Sequence, residues 1–124
     1  MSDDFDLIFS YSRKQAIEDG VLIDVTDMAK ELGFKWPVAV TATVWNQYIV
    51  PQEELISAGQ SKEGRLWDVL NVLRIAAQQN GTEVFFKVTF LMENDRHEVV
   101  RLKAVSGPGD EGEPVITIML PEED

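Results

Sequence analysis

The chain contains no cysteine, which excludes a disulfide framework, a zinc–thiolate site and a thiol nucleophile. With no disulfide to suit it to an oxidising compartment, a cytoplasmic location is expected. Histidine is nearly absent as well. His97 is the single copy, so sites built on several imidazoles are excluded, and with them most paired acid–base machinery. Flanked by Asp95, Arg96 and Glu98 in a turn-like stretch, it reads as an exposed imidazole and not as a catalyst. Long apolar runs are missing too. Residues 115–120 form one of the longest, far short of the roughly 20 residues a spanning helix needs, so no membrane partner is expected. Residues 1–6 carry acids where a targeting leader needs bases, and no export signal is read there.

Positive charge is the remaining scarcity: 11 Lys and Arg stand against 22 Asp and Glu, a formal net charge of −11 on 124 residues. That balance argues against a nucleic-acid partner and admits the opposite idea, a protein that imitates a polyanion. The excess is unevenly placed. Residues 1–6 hold three acids and no base, and residues 106–124 hold six acids and no base, which leaves 13 acids and 11 bases in residues 7–105. A DNA mimic spreads carboxylates over a folded face, whereas here most of the surplus lies at the ends, and residues 1–6 and 121–124 are expected to be flexible.

What is present is ample apolar material, 44% of the chain, enough for one core and a single domain over residues 1–124. Ser12-Arg13-Lys14-Gln15 has the form of a capping box and opens a short helix that Gly20 stops. Residues 21–25 are a β-branched run of strand length. Thr26 or Asp27 can cap a second helix with Met28, Ala29 and Leu32 inward and Gly33 at its C-terminal end. Residues 37–50 carry two periods at once. Val38, Val40, Ala42 and Val44 alternate like a strand, while Val38, Ala42, Trp45 and Ile49 repeat like a helix. Pro37 at a first helical position favours helix.

The clearest helix runs over residues 61–80, with Leu66, Val69, Leu70, Leu73, Ala76 and Ala77 in one arc. Trp67 and Ile75 fall outside that arc and require a second packing partner, in the fold or on another molecule. Beyond Asn80-Gly81 the period becomes two. Val84, Phe86, Val88, Phe90 and Met92 share one face, and a turn at residues 93–96 leads to a returning strand over 97–105. The last strand, 115–120, is apolar on both faces, which places it centrally, with 97–105 and 21–25 as its neighbours. The fold class expected is α+β, a three- or four-stranded, mostly antiparallel sheet covered by helices.

No motif here carries chemistry. Gly107-Pro108-Gly109-Asp110-Glu111-Gly112 matches the dinucleotide pattern in spelling, but a strand follows it instead of a helix, and two carboxylates sit where phosphate charge would lie. Asp110, Glu111 and Glu113 are hard oxygen ligands for a cation, yet they lack the spacing of a calcium loop, and a solvated connection is the expectation. Lys87, Arg101 and Lys103 with Phe85 form the nearest approach to a nucleic-acid patch, and scattered charge on a half-exposed sheet is the plainer account. No cofactor, metal or catalytic residue is expected.

Several stretches resemble a family of small uncharacterised bacterial proteins, also met in phages and plasmids, that carries a domain of unknown function. They are Tyr11-Ser12-Arg13-Lys14-Gln15-Ala16, Trp36-Pro37-Val38-Ala39-Val40-Thr41, Gly64-Arg65-Leu66-Trp67-Asp68-Val69-Leu70 and Gly107-Pro108-Gly109-Asp110-Glu111-Gly112-Glu113-Pro114 with the strand after it. The resemblance implies a mobile-element context and a helical residue 37–50 segment. It transfers no activity. The expected function is therefore a non-catalytic accessory protein acting through a protein partner or a homodimer, with Trp67, Ile75, Asp110, Glu111 and Glu113 as its candidate interface. A DNA-mimicking inhibitor and an enzyme of unknown reaction type are the alternatives.

Overall fold

A computed structural model describes residues 11–77 and 82–123. The expectations for residues 1–6, for the end of the long helix at Asn80, for the Asn80-Gly81 turn and for Asp124 lie outside the described residues. The elements are α1 (Arg13–Glu18), β1 (Leu22–Asp24), α2 (Thr26–Glu31), β2 (Val38–Thr41), α3 (Ala42–Val44) continued by a π-helical turn (Trp45–Ile49), α4 (Glu53–Ser57), α5 (Lys62–Ala76), β3 (Glu83–Leu91), β4 (His97–Pro108) and β5 (Pro114–Met119). The class is α+β, and among the described residues the sheet has five strands in the order β1-β2-β5-β4-β3. Only β2 and β5 run parallel; the other pairs are antiparallel.

The extra strand is the main departure from the sequence reading. Residues 37–50 are not one helix: Val38 to Thr41 form β2, and the helix begins at Ala42. Each period governs its own half. Val38, Ala39 and Val40 are all buried, as suits a strand covered on both faces. The Pro37 carbonyl accepts from Ile116 N at 2.9 Å, which joins the segment to β5. Thr41 then caps the helix, its Oγ1 accepting from Val44 N at 3.3 Å. Because β2 takes this place, β5 is central as expected, but its second neighbour is β2, and β1 is displaced to the edge.

Local signals hold elsewhere. Ser12 Oγ accepts from Gln15 N at 2.9 Å at the start of α1, and Gly20 and Gly33 follow α1 and α2 with φ of 77° and 97°, a region where a Cβ is penalised. The cap of α2 differs: Val25 occupies that position without a side-chain bond, and Asp24 Oδ1 accepts from Thr26 N at 3.0 Å. Leu66, Val69, Leu70 and Leu73 of α5 pack on Phe86, Val88, Phe90, Val100, Leu102 and Ile118, so α5 covers one face of the sheet while α1 lies on the other. No described helix is long and apolar enough to cross a membrane.

Candidate functional site

On the α1 face, short polar contacts tie distant parts of the chain together. Asp110, in the β4–β5 connection, accepts from Arg13 N at 2.7 Å and Lys14 N at 3.0 Å, so it neutralises two free amides of the first turn of α1. Arg13 reaches the opposite way: Nη1 donates to Thr117 Oγ1 and Nη2 to Ile116 O, both at 2.7 Å. Burial lowers the pKa of this guanidinium, with nearby Asp24, Asp110 and Glu113 opposing the shift. Tyr11 Oη donates to Asp19 Oδ2 at 2.5 Å. Between α1, β1 and β5 lies a cleft of about 730 Å³ lined by Tyr11, Arg13, Leu22, Thr41, Thr117 and Met119.

The tail closes one side of this cleft. Glu123 Oε2 accepts from Leu120 N at 2.7 Å and from Thr41 Oγ1 at 2.9 Å, while its main-chain oxygen accepts from Lys103 Nζ at 3.0 Å. These bonds, with Glu123 N donating to Leu120 O at 3.0 Å, tie Glu123 to β2 and β4. The charged groups lining the cleft are thus engaged with the chain itself.

The acidic connection is also spent internally. Glu113 Oε1 accepts from Glu111 N at 2.9 Å, Asp110 caps α1, and the Glu111 side chain faces solvent. Among the described residues no group of three His, Cys, Asp or Glu could hold a metal ion. The amides of Lys14 and Arg13 hold the Asp110 pKa below its ordinary value. A depressed carboxylate stabilises the fold above its unfolded pKa and ceases to do so as pH falls through the folded one. Thermal melts should therefore place Asp110→Ala below the wild type at neutral pH, with the gap closing below about pH 4.

Two of the sequence candidates are on α5: Trp67 is 42% and Ile75 62% exposed. A different cluster forms on the sheet face beyond α1. The register sets Lys87 opposite Arg101 and Phe85 opposite Lys103, and the Arg101 guanidinium lies 4.3 Å from the Phe85 ring centroid. Phe85 is 41% and Val99 63% exposed. Lys103 is instead buried, bonded to Glu123 and 4.0 Å from Glu83. The bases that looked scattered are cross-strand neighbours, and period-two reading of residues 83–105 places them on one face.

Sequence comparison finds a match over residues 1–124 to a family of unknown function (DUF6573). Neither a curated protein nor a solved structure matches the chain.

Proposed function

The chain belongs to this family of unknown function, and we propose that it is a non-catalytic, cytoplasmic accessory domain that binds another protein through the open β3–β4 face. The observation that carries this reading is the cluster of Phe85, Lys87, Val99 and Arg101, apolar and basic together and exposed to solvent. Such a combination fits an interface where an aromatic anchor gives affinity and charges select the partner. An enzyme would need a free nucleophile, acid or base in the cleft, and Arg13, Asp110 and Glu123 already serve main-chain groups there. The same bonds withdraw Asp110, Glu113 and Glu123 from any phosphate-like array, which ranks the DNA-mimic reading lower. The net charge of −11 sets nucleic acid aside as the partner.

The test is retention from host lysate on the immobilised full chain. The doubly reversed variant Lys87→Glu, Arg101→Glu should lose the retained partner by about tenfold or more, while Trp67→Ala should keep it. Equal retention by wild type and the reversed variant would overturn the reading, and loss with Trp67→Ala alone would move the interface to α5.

A further inference from the structure

The two edges of the sheet are unlike. β1 ends it on one side with three residues, whereas β3 ends it on the other with nine. Soluble proteins protect an edge by shortening it, bulging it or inserting proline. β3 has none of these: its register with β4 runs unbroken from Glu83↔Val105 to Leu91↔His97, it contains no proline, and the edge guard it does carry is a charge, Lys87, at its middle.

The pairing also fixes which main-chain groups remain free. Ser106 N donates to Thr82 O at 2.8 Å, and Met92 N donates to Arg96 O at 2.6 Å. In an antiparallel ladder hydrogen-bonded pairs alternate, so Val84, Phe86, Val88 and Phe90 exchange bonds with β4, and the amides and carbonyls of Phe85, Lys87 and Thr89 point away from it. Leu91 obeys the same parity. Its carbonyl, turned outward, accepts from Arg65 Nη2 of α5, which closes the edge at that end and leaves the Phe85 to Thr89 stretch open among the described residues.

The free edge has two chemically different flanks. Toward solvent lie Phe85, Lys87 and Thr89 with Arg101 behind them. Toward α5 lies half-buried Val84, and Val72 and Ala76, also half-buried, share the Arg65 side of the helix by their spacing of seven and eleven residues.

We propose that β3 receives an extended segment of a partner protein as a sixth strand, one whose side chains alternate between acidic and apolar. Strand addition satisfies the outward amides and carbonyls, while the alternation of a strand sends acids to Lys87 and Arg101 and apolar groups to Val72, Ala76 and Val84. Charge decides the occupant. A second copy pairing about the middle of β3 brings Lys87 against or beside its own counterpart, and like charges across a ladder destabilise it. An acidic strand turns the same lysine into an attraction. The proposal rests on the binding-domain reading and gives that partner its chemistry.

The experiment follows backbone amide exchange by NMR on the full chain with a short synthetic peptide alternating valine and glutamate, and its valine–lysine counterpart. The glutamate peptide should slow exchange at Phe85, Lys87 and Thr89 by about tenfold or more, and added salt should weaken the effect. The lysine peptide should leave these amides unchanged. Thr89→Pro removes only an outward N–H, so it should keep the β4 ladder and lose the protection. Lys87→Glu serves as the second variant and should reduce the response to the glutamate peptide without altering the fold. Equal protection by both peptides, no protection by either, or protection that rises with protein concentration alone would overturn the proposal, the last by identifying a second copy as the occupant. If the glutamate peptide protects nothing while lysate retention still depends on Lys87 and Arg101, strand addition fails and the binding-domain reading stands.

Discussion

Arg65→Ala is expected to destabilise the fold by about 3 kcal/mol, a fall in Tm of roughly 10 °C. The side chain is only 4% exposed, an unusual place for a guanidinium. Its Nη1 donates to Tyr48 O at 2.7 Å, Nη2 to Leu91 O, and Nε to Gln60 Oε1 at 3.3 Å. One residue thereby ties the π-helical turn, the end of β3 and the loop before α5. The guanidinium also lies 5.5 Å from the Phe90 ring centroid, and Tyr48 stacks on that ring at 5.4 Å. Burial lowers its pKa, yet an arginine stays charged, and the carbonyls carry the compensation. Truncation leaves Tyr48 O and Leu91 O without a donor in a half-buried site, which is the larger part of the cost. Arg65→Lys keeps the charge but cannot reach both carbonyls with one planar fork, so it should recover less than half of the loss. Urea denaturation of the two variants and the wild type measures this. A loss below about 1 kcal/mol for the alanine variant would mean that water replaces the guanidinium.

Arg65 also marks where sequence reading stops. The stripe from Leu66 to Leu73 is legible because its members recur with the helical period, and the β3–β4 hairpin because its burial alternates with period two. Arg65 belongs to neither pattern. It precedes Leu66 on the flank of the stripe, and its partners at Tyr48 and Leu91 stand 17 and 26 residues away. Distance in sequence hides Asp110 in the same way: an acid in a Gly-rich connection reads as solvated, yet its carboxylate caps a helix 97 residues earlier. The segment 37–50 fails for a different reason: both periods are visible there, and Pro37 favours helix as a first helical position, whereas it precedes β2 and the helical period belongs to the residues after Thr41. The basic cluster on β3 and β4 follows from alternation plus pairing. What the sequence does not hold is that no described helix covers that face, because the placement of α1 over β5 depends on Arg13 and Asp110.

The central position of β5 makes Ile118→Ala the other large effect, about 3 to 4 kcal/mol. Ile118 is fully buried, with Val40 of β2 and Ala104 of β4 opposite it in register, so neighbours fixed in both strands cannot collapse into the space a truncated side chain leaves. Val115→Ala, near the end of the same strand, should cost about half as much. The comparison also tests strand order. With β2 between β1 and β5, Ile118 and Val40 share a contact, and Ile118→Val combined with Val40→Ala should depart from additivity by about 0.5 to 1 kcal/mol. Ile23 pairs with Val40 on the far side of β2, so Ile118→Val with Ile23→Ala should add. If β1 lay directly beside β5, as the residue 21–25 run suggests on its own, the coupling would instead fall on the Ile23 pair. Denaturant midpoints at a common slope for the wild type, the three single variants Ile118→Val, Val40→Ala and Ile23→Ala, and the two combinations separate the two arrangements.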